Sequence, residues 1–206
     1  MPQPAAPIPH TGLDERLVQS ALELLAQEGI EGLTLRSVAR RAGVSHGAPA
    51  RHFRSLKDLL AEVAARGFAL LSEAIGKSDA LVPAEAGPMP RLAAAARAYL
   101  DCAIENAALF ALMFRADALD PTNASFAREA PAAFDQLVRH VRAAQAQGWH
   151  ADLDTRLLAG SLWASVHGLA TLWSQGAFQG PVPHASKDDA LAITLELVDD
   201  RRGESR

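Results

Sequence analysis

Apolar residues recur at intervals of three and four along nearly the whole chain, and nowhere keep the alternation of a half-buried strand. Leu13, Leu17, Ala21, Leu24 and Leu25 predict a first helix of about four turns that stops at Gly29. Leu35, Val38, Ala39 and Ala42 predict a second, with Thr34 as its N-cap and Gly43 supplying the backbone turn at its end. Val44 plugs the core beneath that turn. Ser45 is placed to cap a third helix anchored by Phe53, and Pro49 keeps that helix short, since proline is tolerated only near a helix start. Ser55 and Asp58 form a capping-box pattern that opens a long helix through Leu59, Leu60, Val63, Ala64, Phe68, Leu71 and Ile75.

Three prolines and a glycine mark residues 78–90 as a linker. Five further helices follow, over 90–106, 108–116, 124–147, 155–175 and 187–199, the last capped by Ser186. The expectation is an all-α chain of about nine helices. A disordered arm covers 1–12, a three-helix helix-turn-helix head 13–60, and a helical bundle 61–206.

Charge sharpens this picture. The chain carries a net charge of −4, yet Thr34 to Lys57 holds Arg36, Arg40, Arg41, Arg51, Arg54 and Lys57 with no acidic residue. A compact helix pair with such a surface matches the groove of double-stranded DNA. Arg36, Arg51 and Lys57 are candidates for phosphate contacts, with Ser45 holding a further phosphate at the helix start and Thr34 at the preceding cap. His46, Ala48 and His52 are candidates for base edges. Gly47 and Pro49 keep that end small enough for close approach, and the third helix is expected to show both outward. Arg40 and Arg41 are expected to be solvated.

Composition excludes several classes. Hydrophobic residues make up 49% of the chain, enough for a core, and the bias toward Ala and Leu favours helix. Cys102 is the single cysteine, so no intramolecular disulfide forms and a reducing cytoplasm fits. The proline-rich start is neither a signal peptide nor an anchor, and no stretch reaches the length of a spanning helix. The seven histidines never pair with a carboxylate at metal-binding spacing. No phosphate loop or nucleophile motif is present. No enzyme, metal or cofactor is expected.

Aromatic residues are only 5% of the chain, but several gather in FALMFR from Phe110 and WASVHGL from Trp163. Phe110, Met113, Phe114, Trp163, His167 and Trp173 are the candidates for a small-molecule pocket, with His167 as its polar handle. Aromatics at this spacing more often belong to a core or a dimer interface than to a pocket wall.

The segment GLTLRSVARRAGVSHGAPARHF, followed by Lys57 and a Leu-rich helix, resembles the DNA-binding domain of TetR/AcrR-type transcriptional regulators. The resemblance is strong over about 13–68. The two aromatic segments resemble the C-terminal type of that family named for a Trp-His-Gly motif, although Val166 here precedes His167. The resemblance implies a cytoplasmic, all-helical homodimer whose last two helices form a four-helix interface. It also implies a repressor that leaves a near-palindromic operator when a small-molecule effector enters the C-terminal domain, with half-sites about 34–36 Å apart.

Two positions depart from the family's usual residues. Ala50 stands where an aromatic usually meets a phosphate, and Leu56 where a Lys or Arg is usual, with Lys57 one place later. Arg51, Arg54 and Lys57 are placed to compensate. The alternative reading is a helical small-molecule-binding protein whose head has weak or lost DNA affinity.

Overall fold

Eight α-helices and three short 3-10 helices make up the regular structure of residues 12–199, the part that the computed structural model describes. The predicted arm lies outside these residues except for Gly12. Helix α1 (Leu13–Glu28) buries Leu17, Val18, Ala21, Leu24 and Leu25, and ends at Gly29 with φ 71°. A 3-10 turn over Ile30–Gly32 leads into α2 (Leu35–Arg41). Thr34 caps α2 by accepting the Ser37 N–H at 2.9 Å, and Ser37 Oγ accepts the Thr34 N–H at 2.9 Å, a reciprocal box.

At the end of α2, Val44 N–H reaches Ala39 O and Gly43 N–H reaches Arg40 O, the paired bonds of a Schellman turn, with Gly43 at φ 67°. The third predicted helix takes a different form. Residues 46 and 47 form a turn, 48 is a bend, and only Pro49–Arg51 coil, as a 3-10 helix. Pro49 has no N–H to give and Gly47 favours no helix, so the span closes through Arg51 N–H to Ala48 O and His52 N–H to Pro49 O, with a single i→i−4 bond from Phe53 N–H to Pro49 O at 2.8 Å. Ser45 contributes its carbonyl, which accepts the Ala48 N–H at 2.9 Å, and no side chain caps this helix.

Helix α3 (Leu56–Leu81) starts on Ser55, whose hydroxyl accepts the Asp58 N–H, and packs on α1 and on the body helices. It runs well past residue 78, and α4 (Pro88–Glu105) begins with Pro88 and Pro90 in its first turn, so the loop is shorter than the prolines alone predict. Next come α5 (Ala107–Met113), α6 (Ala124–Gln145), α7 (Thr155–Ser174) and α8 (Lys187–Asp199). Gly67 lets α5 lie against α3: a Cβ there would stand 2.5 Å from Met113 Sδ.

Helices α3, α4, α6 and α7 enclose the body, and Cys102 is buried among them. Salt bridges Arg97–Asp188 and Lys187–Asp101 fasten α8 to α4. No helix among the described residues is long and apolar enough to cross a membrane.

Candidate nucleic-acid interface and effector cavity

Thr34, Arg36, Ser45, His46, Gly47, Arg51, His52 and Lys57 are exposed on the head, and Ala48 is half-buried. Pro49 is the exception. The sequence pattern places it outward, but its ring is fully buried because the 3-10 turn rotates it into the core beside Phe53, while Ala50 points out. His52 does not pack inward.

The six cations of the segment divide into two groups. Arg41 bonds Glu23 at 3.0 Å and also Gln27, both on α1, so it braces the head and is not simply solvated. Arg54 is held by Asp58 at 3.2 Å and Asp120 at 3.0 Å, and it also reaches the Thr122 hydroxyl. That arrangement takes Arg54 out of the set placed to compensate for Ala50. Arg36, Arg40, Arg51 and Lys57 remain exposed with no ion pair among the described residues. The free basic face is therefore built from these four.

Arg54 belongs to a polar joint between head and body that sequence reasoning did not find. Asp58 is almost wholly buried, and its carboxylate accepts the Arg54 N–H at 2.9 Å and Asn123 Nδ2 at 3.0 Å. Burial alone pushes the Asp58 carboxyl up. The Arg54 and Asn123 hydrogen bonds and the guanidinium charge outweigh that and hold it at about 2. Asn123 is also the N-cap of α6, accepting the Phe126 N–H at 3.0 Å, and Asp120 N–H donates to Lys57 O at 3.1 Å. The first turn of α3 and the first turn of α6 thus share one hydrogen-bond network. The capping role of Ser55 was legible as a local pattern. The meeting of Asp58 with the cap of α6 was not, because 65 positions separate Asp58 from Asn123.

The body encloses a cavity of about 360 Å³ walled by α3, α4, α6 and α7 with the end of α5. Met113, Phe114 and Trp163 line it. The other predicted lining residues do not. Phe110 lies behind, its ring 5.4 Å from Tyr99 and 5.1 Å from Phe114, and Trp173 packs on Phe178. His167 stands in the second layer, its ring 4.5 Å from Phe114, where Nδ1 accepts the Tyr99 hydroxyl at 2.8 Å. Trp163 Nε1 in turn donates to Tyr99 at 3.0 Å. Burial lowers the pKa of His167 and raises that of Tyr99, so both are neutral near pH 7.

Sequence reasoning missed most of the wall, including Phe68, Tyr99, Phe126, Phe134 and His140. A signal was present, since Phe126, Phe134 and His140 fall along one stripe of a single amphipathic helix.

A helix-turn-helix head joined through one long helix to a helical body defines a class, that of helix-turn-helix transcriptional regulators. Comparison with known proteins narrows it. Residues 17–63 match the family described as "Bacterial regulatory proteins, tetR family", and residues 92–198 match "Tetracyclin repressor-like, C-terminal domain". The second match alone covers just over half of the chain, which belongs to the TetR family of transcriptional regulators.

A solved structure of a protein of unknown function from Rhodococcus sp. RHA1 is 32% identical, covers 93% of this chain and 96% of that one, and superposes with a TM-score of 0.78. The TetR-family regulator PfmR from Thermus thermophilus is 22% identical over 93% of this chain and 100% of that one, with a TM-score of 0.64, a likeness of fold alone. The uncharacterised HTH-type regulator YobS of Bacillus subtilis (strain 168) is 32% identical over 99 residues, which is 48% of this chain and about half the length of that relative.

Proposed function

We propose that the protein is a ligand-responsive repressor, in which a head over residues 13–60 binds operator DNA and the remainder senses an effector and dimerises. The observation that carries this reading is a continuous path: an exposed basic face with imidazole and small side chains, tied through Asp58 and Asn123 to α6, which walls an apolar cavity. Arg36, Arg51 and Lys57 hold phosphates, and His46, Ala48 and His52 meet base edges. Two copies pair through α7 and α8 and set two heads on successive turns of a palindromic duplex in the cytoplasm.

An effector in the cavity displaces α6, moves the joint, and lowers operator affinity. Such couplings are about 1–3 kcal/mol and reciprocal, so DNA weakens effector binding equally. The test is selection of genomic fragments by the purified protein at about 0.15 M salt, where non-specific binding is weak. An enriched palindrome with half-sites one helical turn apart is expected.

A second reading has its own observation. Ala50 is exposed and offers no aromatic to a phosphate, and Arg54 is occupied. If folded dimer enriches no sequence, the body is a small-molecule-binding protein and the head no longer serves DNA.

A further inference from the structure

The chemistry of the cavity wall narrows what it holds; this inference rests on the effector-responsive reading above. Of its 20 lining residues only Tyr99, His140 and Trp163 carry polar side-chain atoms, and none is charged at neutral pH in the manner of Asp, Glu, Lys or Arg. All three are engaged inside the protein. Trp163 Nε1 donates to the Tyr99 oxygen, the Tyr99 hydroxyl and His167 Nδ1 share one hydrogen bond, and His140 Nε2 donates to Asp79 Oδ2 at 3.1 Å.

What His140 keeps for the cavity is the Nδ1 lone pair, and behind it the buried Asp79 Oδ1 has no hydrogen-bond partner. Burial, then the charges of Arg139 and Arg91, lower the pKa of His140 against the pull of Asp79, which keeps the imidazole neutral with Nδ1 as an acceptor. Its bond to Asp79 polarises the ring and strengthens that acceptor.

Such a wall discriminates by type of ligand. A carboxylate or phosphate would set lone pairs against lone pairs and leave an unpaired charge in apolar surroundings. An ammonium would find no carboxylate on the wall, since Asp79 stands behind His140 and already accepts its Nε2–H, and would carry its charge into apolar surroundings. A hydroxyl satisfies the site at no such cost. The wall is also long: its positions on α6 run from Phe126 to His140, about 21 Å of helix.

We propose that the effector is a neutral, elongated, largely hydrocarbon molecule with one hydrogen-bond donor, an alcohol or phenol, received at His140 Nδ1.

The experiment loads the full-length protein with the neutral fluorophore N-phenyl-1-naphthylamine at neutral pH and displaces it with probes of one chain length: 1-decanol, its methyl ether, decanoate and decylammonium. Decanol is expected to displace at a concentration at least about tenfold below each of the other three. In His140→Leu the advantage over the methyl ether is expected to fall to about threefold or less. The wild-type comparison with the ether stands even if that variant folds poorly.

Decanoate or the ether matching decanol overturns the proposal and leaves the cavity reading intact, since the fluorophore has bound. Failure of the fluorophore itself to enter overturns both.

Discussion

Two single residues carry consequences out of proportion to their size. Gly43 sits at φ 67° with nothing within 4 Å of where a Cβ would stand, so an alanine there meets no clash, only the left-handed backbone. Gly43→Ala is expected to cost about 1–2 kcal/mol, read as a lower denaturant midpoint at unchanged slope. Asp58 is the second. Its carboxyl is held at about 2 in the folded protein against about 3.9 in an unfolded chain, so its contribution is fully present above about pH 4. It is lost as the pH falls through about 2. Melting curves of the wild type and Asp58→Asn should therefore differ most above about pH 4 and converge toward about pH 2; parallel curves throughout would sink this account of the joint.

At the scale of elements, the free basic face and the occupied arginines predict different behaviour from residues that look alike in sequence. Arg51→Gln and Lys57→Gln should each weaken binding on all DNA sequences and reduce the salt slope of operator affinity by about one unit, measured by anisotropy titrations across a salt series. Arg54→Gln should leave that slope nearly unchanged, because the guanidinium already pairs with Asp58 and Asp120, and should lower the melting temperature instead.

These contrasts show how far the sequence was legible. Helix α1, the cap at Thr34, the Schellman glycine and the start of α3 follow from local spacing and short-range hydrogen bonds, so they could be read directly. The third head helix differs in form from the one its spacing predicts, because Pro49 and Gly47 tip the balance from an α-turn to a 3-10 turn by a few hydrogen bonds. The cavity is read from aromatic content, which picks out Phe114 and Trp163 but cannot separate a lining ring from one behind it. Placing His167 in the second layer and His140 in the first requires knowing how α4, α6 and α7 pack, which is tertiary information.

For the whole molecule, the proposed dimer sets the outer face of α7 and α8 between two copies, and that proposal can be tested on the residues there. Leu157, Leu172, Ile193 and Leu197 stand exposed, Leu157 at 72% and Leu197 at 77%, in a chain most of whose leucines are buried. Between Leu157 and Leu172 the exposed positions on α7 include the small residues Ser161, Ser165 and Gly168, which permit a second helix to approach closely. In the protomer these leucines contact little, so a charge placed there costs the fold almost nothing. In a four-helix interface the same charge is buried against its symmetry mate and costs several kcal/mol. The double substitution Leu157→Glu with Leu197→Glu is therefore expected to leave the melting temperature of the isolated protomer near wild type. Sedimentation should show a shift from dimer to monomer, and operator affinity should fall to that of a single half-site. A double variant that stays dimeric would place the interface elsewhere, and with it the geometry that sets the spacing of the heads.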